Sequence, residues 1–227
     1  MGQFTGNETV GQIVVERPRA SRVLGKLGID FCCGGKRPLS DVCHERGLVL
    51  DEVLAQLEKD VPRSARSCWV DAPLSDLVSH IVERHHTFTR AELERLGPML
   101  EKVARVHGER HPEMIEVAAL FRGFAADLML HMQKEEVVLF PAIRQLVENE
   151  RPTSIAAPIT CMRSEHERAG SELAQMRSLT HGYAAPSGAC NTFRAVLEGL
   201  AELEADVHEH VHLENNVLFE RALSCVR

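Results

Sequence analysis

The chain has 227 residues, 44% hydrophobic and 26% charged, which excludes a disordered protein and allows one sizeable core with a small second unit. Lysine and arginine number 26 against 33 for aspartate and glutamate, so the net charge of -7 gives no attraction to nucleic acid phosphates or anionic lipid. Twelve histidines, against one tryptophan and one tyrosine, indicate metal or proton chemistry.

The cysteines and the N-terminus predict a cytoplasmic protein. Seven cysteines is an odd number and their spacing suggests no set of disulfides, so we expect reduced thiols. The first ten residues lack a basic start and an apolar stretch, and Gly6 breaks the myristoylation pattern. No apolar run approaches the roughly 18 residues of a membrane helix. We therefore expect a soluble, unanchored chain.

Two domains are predicted, with residues 1–67 forming a short helical domain and residues 68–227 a larger one. The first consists of short helices broken by glycine, with Thr9 as a helix N-cap. Residues 30–40 cannot form a regular helix, because two glycines and a proline fall within five positions. Residues 61–73 carry two prolines and no apolar period, so they are predicted to be a linker.

From Leu74 onward the apolar period is helical, and the alternating pattern of strands is absent. Four segments run from Leu74 to about His107, from Pro112 to Leu146, from Ile159 to Leu179 and from Asn191 to Leu223. Four helices joined by short connections predict an all-α protein whose second domain is an up-down-up-down four-helix bundle.

Polar residues interrupt the apolar stripes of the last three segments, where the core should lie. The stripes are Phe121, Phe124, Leu128, His131, Glu135, Val138, then Met162, His166, Ala169, Leu173, Met176, and finally Val196, Leu200, Leu203, Val207, His210, Glu214, Val217. An ionised carboxylate buried alone in an apolar bundle is so costly that it is normally paired or bound to a metal. Two glutamates and three histidines at such positions therefore predict a cation in the core.

The second and fourth segments repeat one another. HMQKEEVVLFP from His131 and HVHLENNVLFE from His210 share H-x-x-x-E and then V-L-F at the same offsets. The His and Glu of each motif lie one turn apart on one helix face and can reach the same point on the bundle axis. The first and second segments form one half of the bundle, and the third and fourth form the other. Each half is expected to supply two histidines and one glutamate. Six ligands are too many for one four-coordinate zinc, whereas imidazole with carboxylate suits iron or manganese, so two metals spanned by the glutamates are predicted.

The histidine of the first segment is not fixed by spacing. His85 and His86 each lie on a good apolar stripe. The internal symmetry favours His86 only weakly, because choosing His85 changes the spacing by a single residue. Both residues stay open on this argument.

Taken together, the motifs resemble one protein family. DFCCGG at residues 30–35, S-E-H ending at His166, H-x-x-K-E-E-x-x-L-F-P from His131 and H-x-x-L-E-N-N-V-L-F from His210 are similar to the repair of iron centres family. These are hemerythrin-like di-iron proteins implicated in restoring iron-sulfur clusters after nitrosative and oxidative stress. The resemblance covers nearly the whole chain. It implies two non-haem irons with an oxo-type bridge and the metal ligands His86, His131, Glu135, His166, His210 and Glu214.

The resemblance also implies which histidine of the first segment is a ligand and what the protein does. Relatives carry Tyr-His where this chain has His85-His86, which favours His86 as the ligand. The implied function is repair of iron-sulfur clusters damaged by nitric oxide or oxidative stress, by supplying iron more than by catalytic turnover, with damaged iron-sulfur proteins as partners. A hemerythrin-like protein that binds or senses nitric oxide or oxygen, and a redox enzyme of the nitric oxide reductase type, stay open as alternatives. A homodimer is also left open.

Cys32 and Cys33 form a separate motif. The two following glycines allow consecutive N–H groups to converge on an anion, and Lys36 and Arg37 come next, so we expect a favoured thiolate. Adjacent cysteines form a disulfide only with a strained ring. Cys32 and Cys33 are therefore candidate redox or iron-transfer thiols, which would handle iron, a persulfide or nitric oxide.

Overall fold

The computed structural model describes residues 4–60, 67–147 and 154–225. Within these ranges the chain forms eight helices and no strand, apart from one isolated bridge between Thr9 and Pro38. The prediction of an all-α protein is confirmed.

The N-terminal domain consists of four short helices. They are α1 (Val10–Glu16), α2 (Ala20–Lys26), α3 (Leu39–Arg46) and α4 (Leu50–Asp60). Thr9 caps α1 as predicted, because its hydroxyl accepts the N–H of Gln12 and the Gln12 side chain accepts the N–H of Thr9. Each of the four helices buries apolar side chains, among them Ile13, Leu24, Leu39 and Leu57.

Four long helices form the bundle, and three of them contain a π-helical turn. Helix α5 consists of Leu74–His80, the π turn Ile81–His86 and Thr87–His107; α6 of Glu113–Lys134, the π turn Glu135–Leu139 and Phe140–Val147; α7 of Ala156–Leu179; and α8 of Asn191–Leu213, the π turn Glu214–Leu218 and Phe219–Ser224. Each helix packs against the next one along the chain, and α8 closes the bundle against α5. The predicted four-helix bundle is thus confirmed.

One side chain of α6 lies outside the core where the sequence placed it inside. Val138 was expected on the buried stripe, but it is 56% exposed, whereas Leu139 is buried. Leu139 continues the i, i+4 spacing of His131 and Glu135, so this residue faces the core after Glu135. The stripe prediction was therefore wrong at Val138, although Val217, the equivalent residue after Glu214, is buried as predicted.

The N-terminal domain docks on the π turn of α8 through two glycines. A Cβ atom on Gly11 would lie 2.6 Å from Asn216 Oδ1, and one on Gly35 would lie 2.4 Å from the same atom. Asn216 Nδ2 donates to the carbonyls of Phe31 and Cys32 at 3.3 and 3.2 Å. Only residues without side chains fit at Gly11 and Gly35, which gives the second glycine of the C-C-G-G motif a packing role.

The predicted linker is described only in part. Residues 61–66 lie outside the described residues, and Cys68–Val70 forms a short 3-10 helix. The Trp69 ring stacks on His80 at 4.3 Å between centroids, and the Trp69 carbonyl accepts from Arg221 at 2.7 Å, so this end is held on the bundle. A domain boundary at residue 68 stays a prediction. No helix in the described ranges is both long enough and apolar enough to cross a membrane.

Candidate metal centre

Each bundle helix turns one histidine inward at the same level of the core, and the glutamates come from α6 and α8. All six side chains are buried: His86, His131, Glu135, His166, His210 and Glu214. On α6 and α8 the i, i+4 spacing places each histidine Nε2 3.2 Å from an oxygen of its own glutamate. The structure therefore brings together every candidate ligand that the sequence indicated.

The six side chains form two groups that share both glutamates. One group is His86 and His210 with Glu135 and Glu214, and the other is His131 and His166 with the same two carboxylates. In each group the donor atoms lie within 4.8 Å of one another. The sequence predicted one group from the first two bundle helices and one from the last two, whereas the structure groups His86 of α5 with His210 of α8 and His131 of α6 with His166 of α7.

The atoms at the centre are arranged as metal ligands and not as hydrogen-bond partners. The Nε2 atoms of His86 and His210 lie 3.2 Å apart, and those of His131 and His166 lie 3.1 Å apart. Both oxygens of Glu135 and of Glu214 are buried and have no hydrogen-bond partner among the described residues. Two ligands at right angles, each about 2.1 Å from a metal, lie about 3 Å apart. Four orphaned carboxylate oxygens among four imidazoles thus fit two bound cations.

Three of the four histidines have a partner behind the ring. His86 Nδ1 lies 2.6 Å from Glu136, and His131 Nδ1 lies 2.9 Å from Glu165. His166 Nδ1 lies 3.1 Å from Asn215 Oδ1, whereas His210 Nδ1 is buried without a partner. Metal-binding histidines usually donate their second N–H in this manner, which fixes the ring and leaves Nε2 free to coordinate.

The buried histidines and glutamates at the centre shift one another's pKa values. Burial alone would lower the pKa of His131, but the charge of Glu135 and the contact with its carboxylate raise this pKa to about 9. Burial would raise the pKa of Glu214, but the charge of His210 and the contact with His166 hold it well below its usual value. A proton on His131 therefore offsets part of the carboxylate charge, and a bound cation would displace it.

His85, the alternative to His86, lies outside both groups. It is buried, and its Nδ1 lies 3.1 Å from Asp206, which also pairs with Arg84 at 3.2 Å. The His85 ring stacks on His210 with the centroids 5.7 Å apart. The geometry thus favours His86 at the centre and places His85 behind His210.

A small pocket opens beside the centre. His131, His166 and His210 line it together with Phe124 and Leu128, and it has room for about one water-sized molecule.

Cys32 and Cys33 lie on a loop against the bundle, which we call the thiol loop (residues 30–35). The Asp30 carboxylate accepts the backbone N–H groups of Cys32, Cys33 and Gly34, each at 2.9 Å. The anion on which the N–H groups converge is therefore a side chain of the protein itself. A hydrogen bond with Cys33, burial and the negative charge of Asp30 raise the pKa of Cys32 well above its usual value. The expectation of a favoured thiolate was wrong at Cys32.

Comparisons with known proteins cover both parts of the chain. Residues 77–222 match the model of the hemerythrin HHE cation binding domain, and residues 6–61 match ScdA_N, described as a domain of unknown function. The iron-sulfur cluster repair protein YtfE of Pectobacterium carotovorum is 42% identical over 96% of this chain and 97% of its own length. YtfE of Pectobacterium atrosepticum (41%) and of Yersinia pestis (38%) match with the same coverage.

The chain belongs to the family of YtfE iron-sulfur cluster repair proteins. The predicted family resemblance is confirmed. All six buried His and Glu side chains fall within the part that matches the cation binding domain, and both thiols fall within the part that matches ScdA_N.

Sequence reasoning missed the residues behind the ligands. Asp206, Glu165 and Asn215 were not singled out, although each contacts a histidine at or beside the centre. Asp206 carries a signal that could have found it, since it lies four residues before His210 on the same helix face. Glu165 and Asn215 reach histidines on other helices, so no spacing along the chain marks them.

Proposed function

We propose that this protein restores damaged iron-sulfur clusters by supplying iron from a centre of two non-haem iron ions joined by an oxo-type bridge. Cluster repair is the activity that the names of its relatives state. The observation that carries the proposal is the pair of buried groups that share Glu135 and Glu214. Imidazole with carboxylate suits iron, and a carboxylate between two groups can bind two ions at once.

The ligand set makes each metal position dependent on the other. Besides one pair of histidines, each position has only the two shared carboxylates. Removing one ion therefore leaves both carboxylates with part of their charge uncompensated in a buried site. Iron bound in this manner can be handed on, which suits supply better than repeated catalysis.

We further propose that the thiol loop handles the iron in transit. The Sγ atoms of Cys32 and Cys33 lie 3.9 Å apart, and an Asp30 oxygen lies 3.2 Å from Cys32 Sγ. Two thiolates about 2.3 Å from one tetrahedral metal lie about 3.8 Å apart, so both sulfurs can bind one ion without moving. The loop borders a pocket that Glu167 and His208 also line, so an ion there would be open to a partner protein. Reduced thiols require a cytoplasmic location, which is part of the proposal.

A transfer assay tests this function. The iron-loaded protein is mixed with a [4Fe-4S] enzyme whose cluster nitric oxide has damaged, and recovery is compared with that given by free ferrous iron at equal concentration. We expect faster recovery with the protein, little with the Glu135→Ala, Glu214→Ala variant, and slower recovery with the Cys32→Ser, Cys33→Ser variant. Recovery no better than with free iron would contradict the proposal.

A second candidate is a protein that binds or senses a diatomic gas. The small pocket beside His131, His166 and His210 favours it. Optical titration of the iron-loaded protein with nitric oxide and with oxygen distinguishes the two candidates. Tight, reversible binding without loss of iron supports the sensor, and loss of iron supports supply.

A further inference from the structure

Asn215 joins the thiol loop to the metal centre. It follows Glu214 directly on the π turn of α8, and it is buried. Its Nδ2 donates to the Cys32 carbonyl at 3.4 Å, and its Oδ1 lies 3.1 Å from His166 Nδ1. Both ends of the side-chain amide are therefore used, one by the N-terminal domain and one by a candidate metal ligand.

The backbone of the thiol loop fixes the direction of this amide. A carbonyl can only accept, so Nδ2 has to face Cys32 and Oδ1 has to face His166. The oxygen then accepts the Nδ1–H of His166, which leaves the Nε2 lone pair of His166 for the centre. The position of the Cys32 carbonyl thereby sets both the orientation and the protonation pattern of a ligand in another domain.

No other candidate ligand depends on the N-terminal domain in this manner. Glu136 and Glu165, the partners of His86 and His131, belong to the bundle, and His210 Nδ1 has no hydrogen-bond partner within the described residues. The two metal positions are consequently not equivalent. The one with His131 and His166 is connected to the thiol loop, and the one with His86 and His210 is not.

We propose that Asn215 is a positioning residue through which the thiol loop controls the retention of metal at the His131 and His166 position. A thiol loop that moves when it binds a partner withdraws the Cys32 carbonyl, frees the Asn215 amide and loosens His166. The inference rests on the proposed function, because it assigns one of the two irons as the first to leave.

Two near-isosteric variants of the full chain separate the two ends of the bridge. Asn215→Leu loses both hydrogen bonds, whereas Asn215→Asp keeps an acceptor for His166 and loses the donor to Cys32. One measurement is the rate at which a chelator removes ferrous iron under anaerobic conditions. The other is the rate of alkylation of Cys33, read by mass spectrometry.

We expect Asn215→Leu to release one of its two irons about 10- to 100-fold faster than the wild type, the usual effect of losing a partner behind a ligand. Asn215→Asp should stay within about threefold of the wild type, because a carboxylate offers His166 an acceptor whichever way it turns and no longer needs the Cys32 carbonyl to orient it. Both variants should raise the alkylation rate of Cys33 by about 2- to 10-fold, the equivalent of one net hydrogen bond.

Equal release of iron from the Leu and Asp variants would overturn the proposal, since it would reduce Asn215 to a packing residue. Unchanged alkylation in both variants would overturn the link to the thiol loop. Failure of the wild type to hold iron would instead contradict the proposed function, and the alkylation rates would still test the contact with Cys32.

Discussion

At the scale of single residues, the partners behind the histidines decide how firmly each ring is held. Glu165 bonds to His131 Nδ1 and pairs with Lys134, and its own pKa is about 2. Burial would raise that pKa, but the hydrogen bonds from Lys134 and His131 lower it. Glu165 therefore stays ionised and makes His131 a stronger ligand.

Replacing Glu165 with glutamine should weaken iron binding. The neutral amide still occupies the space but no longer stabilises a donated proton as a carboxylate does, so we expect a loss of affinity of about tenfold or more. Anaerobic titration with ferrous iron against a competing chelator measures it. Glu198→Gln, which neutralises an exposed carboxylate elsewhere on α8, is the matched control. Equal affinities in the two variants would contradict this role for Glu165.

The raised pKa of Cys32 predicts how the thiol loop reacts with pH. A thiol whose pKa is raised well above its usual value carries little thiolate at neutral pH, so Cys32 should be alkylated more slowly at pH 8 than an exposed cysteine. Asp30→Asn removes a negative charge beside the sulfur and should speed the reaction at pH 8. Mass spectrometry that localises the label on each cysteine reads the rates. Rapid labelling of Cys32 at pH 7 would contradict the prediction.

The ligand residues could be predicted from the sequence for two reasons. A charged side chain on an apolar stripe is costly to bury, and it interrupts the apolar pattern visibly. His131, Glu135, His210 and Glu214 stand at i, i+4 in two similar segments, which spacing alone detects. The choice between His85 and His86 could not be made in this manner, because it depends on the π turn Ile81–His86 and on Asp206 in another helix.

At the scale of elements, the π turns set the direction of the ligands. Glu135 and Glu214 each begin one, and His86 ends another. Such turns are frequent at functional sites, and no apolar period reveals them. The helix limits were predicted to within a few residues, whereas the π turns and the inward position after Glu135 were not.

Neighbouring alanine variants test which side chain of α6 enters the core after Glu135. Leu139 is buried and Val138 is 56% exposed, so Leu139→Ala should lower the free energy of unfolding by about 2–5 kcal/mol and Val138→Ala by less than about 0.5 kcal/mol. Chemical denaturation of the two variants measures both changes. A larger loss at Val138 than at Leu139 would contradict this arrangement.

At the scale of the whole molecule, the N-terminal helices and the bundle share an apolar core and also meet at a polar junction. Asn216 fills the space over Gly11 and Gly35, and Glu220 pairs at 2.8 Å with both Lys36 of the N-terminal domain and Arg163 of α7. The sequence did not predict this junction, because glycines and an asparagine far apart in the chain carry no shared pattern. The grouping of His86 with His210 and of His131 with His166 was missed for the same reason.

Gly35→Ala tests the junction. The added Cβ would lie 2.4 Å from Asn216 Oδ1 and 2.8 Å from the Phe31 carbonyl, and a backbone oxygen cannot swing aside. We expect a loss of about 1–3 kcal/mol in the free energy of unfolding and faster proteolysis of the N-terminal domain. Gly25→Ala is the control, since nothing lies within 4 Å of its Cβ position. A Gly35→Ala protein as stable as Gly25→Ala would show that the junction is open.

The central claim is that one buried site holds two irons that share Glu135 and Glu214. The most direct measurement is the iron content of the anaerobically loaded, desalted protein together with its ultraviolet-visible spectrum after oxidation to the diferric state with oxygen. We predict two irons per chain with an oxo-bridge charge-transfer band, and loss of both in the Glu135→Ala, Glu214→Ala variant while its helical circular dichroism persists. A single iron in the wild type, or two irons retained by the double variant, would contradict the account.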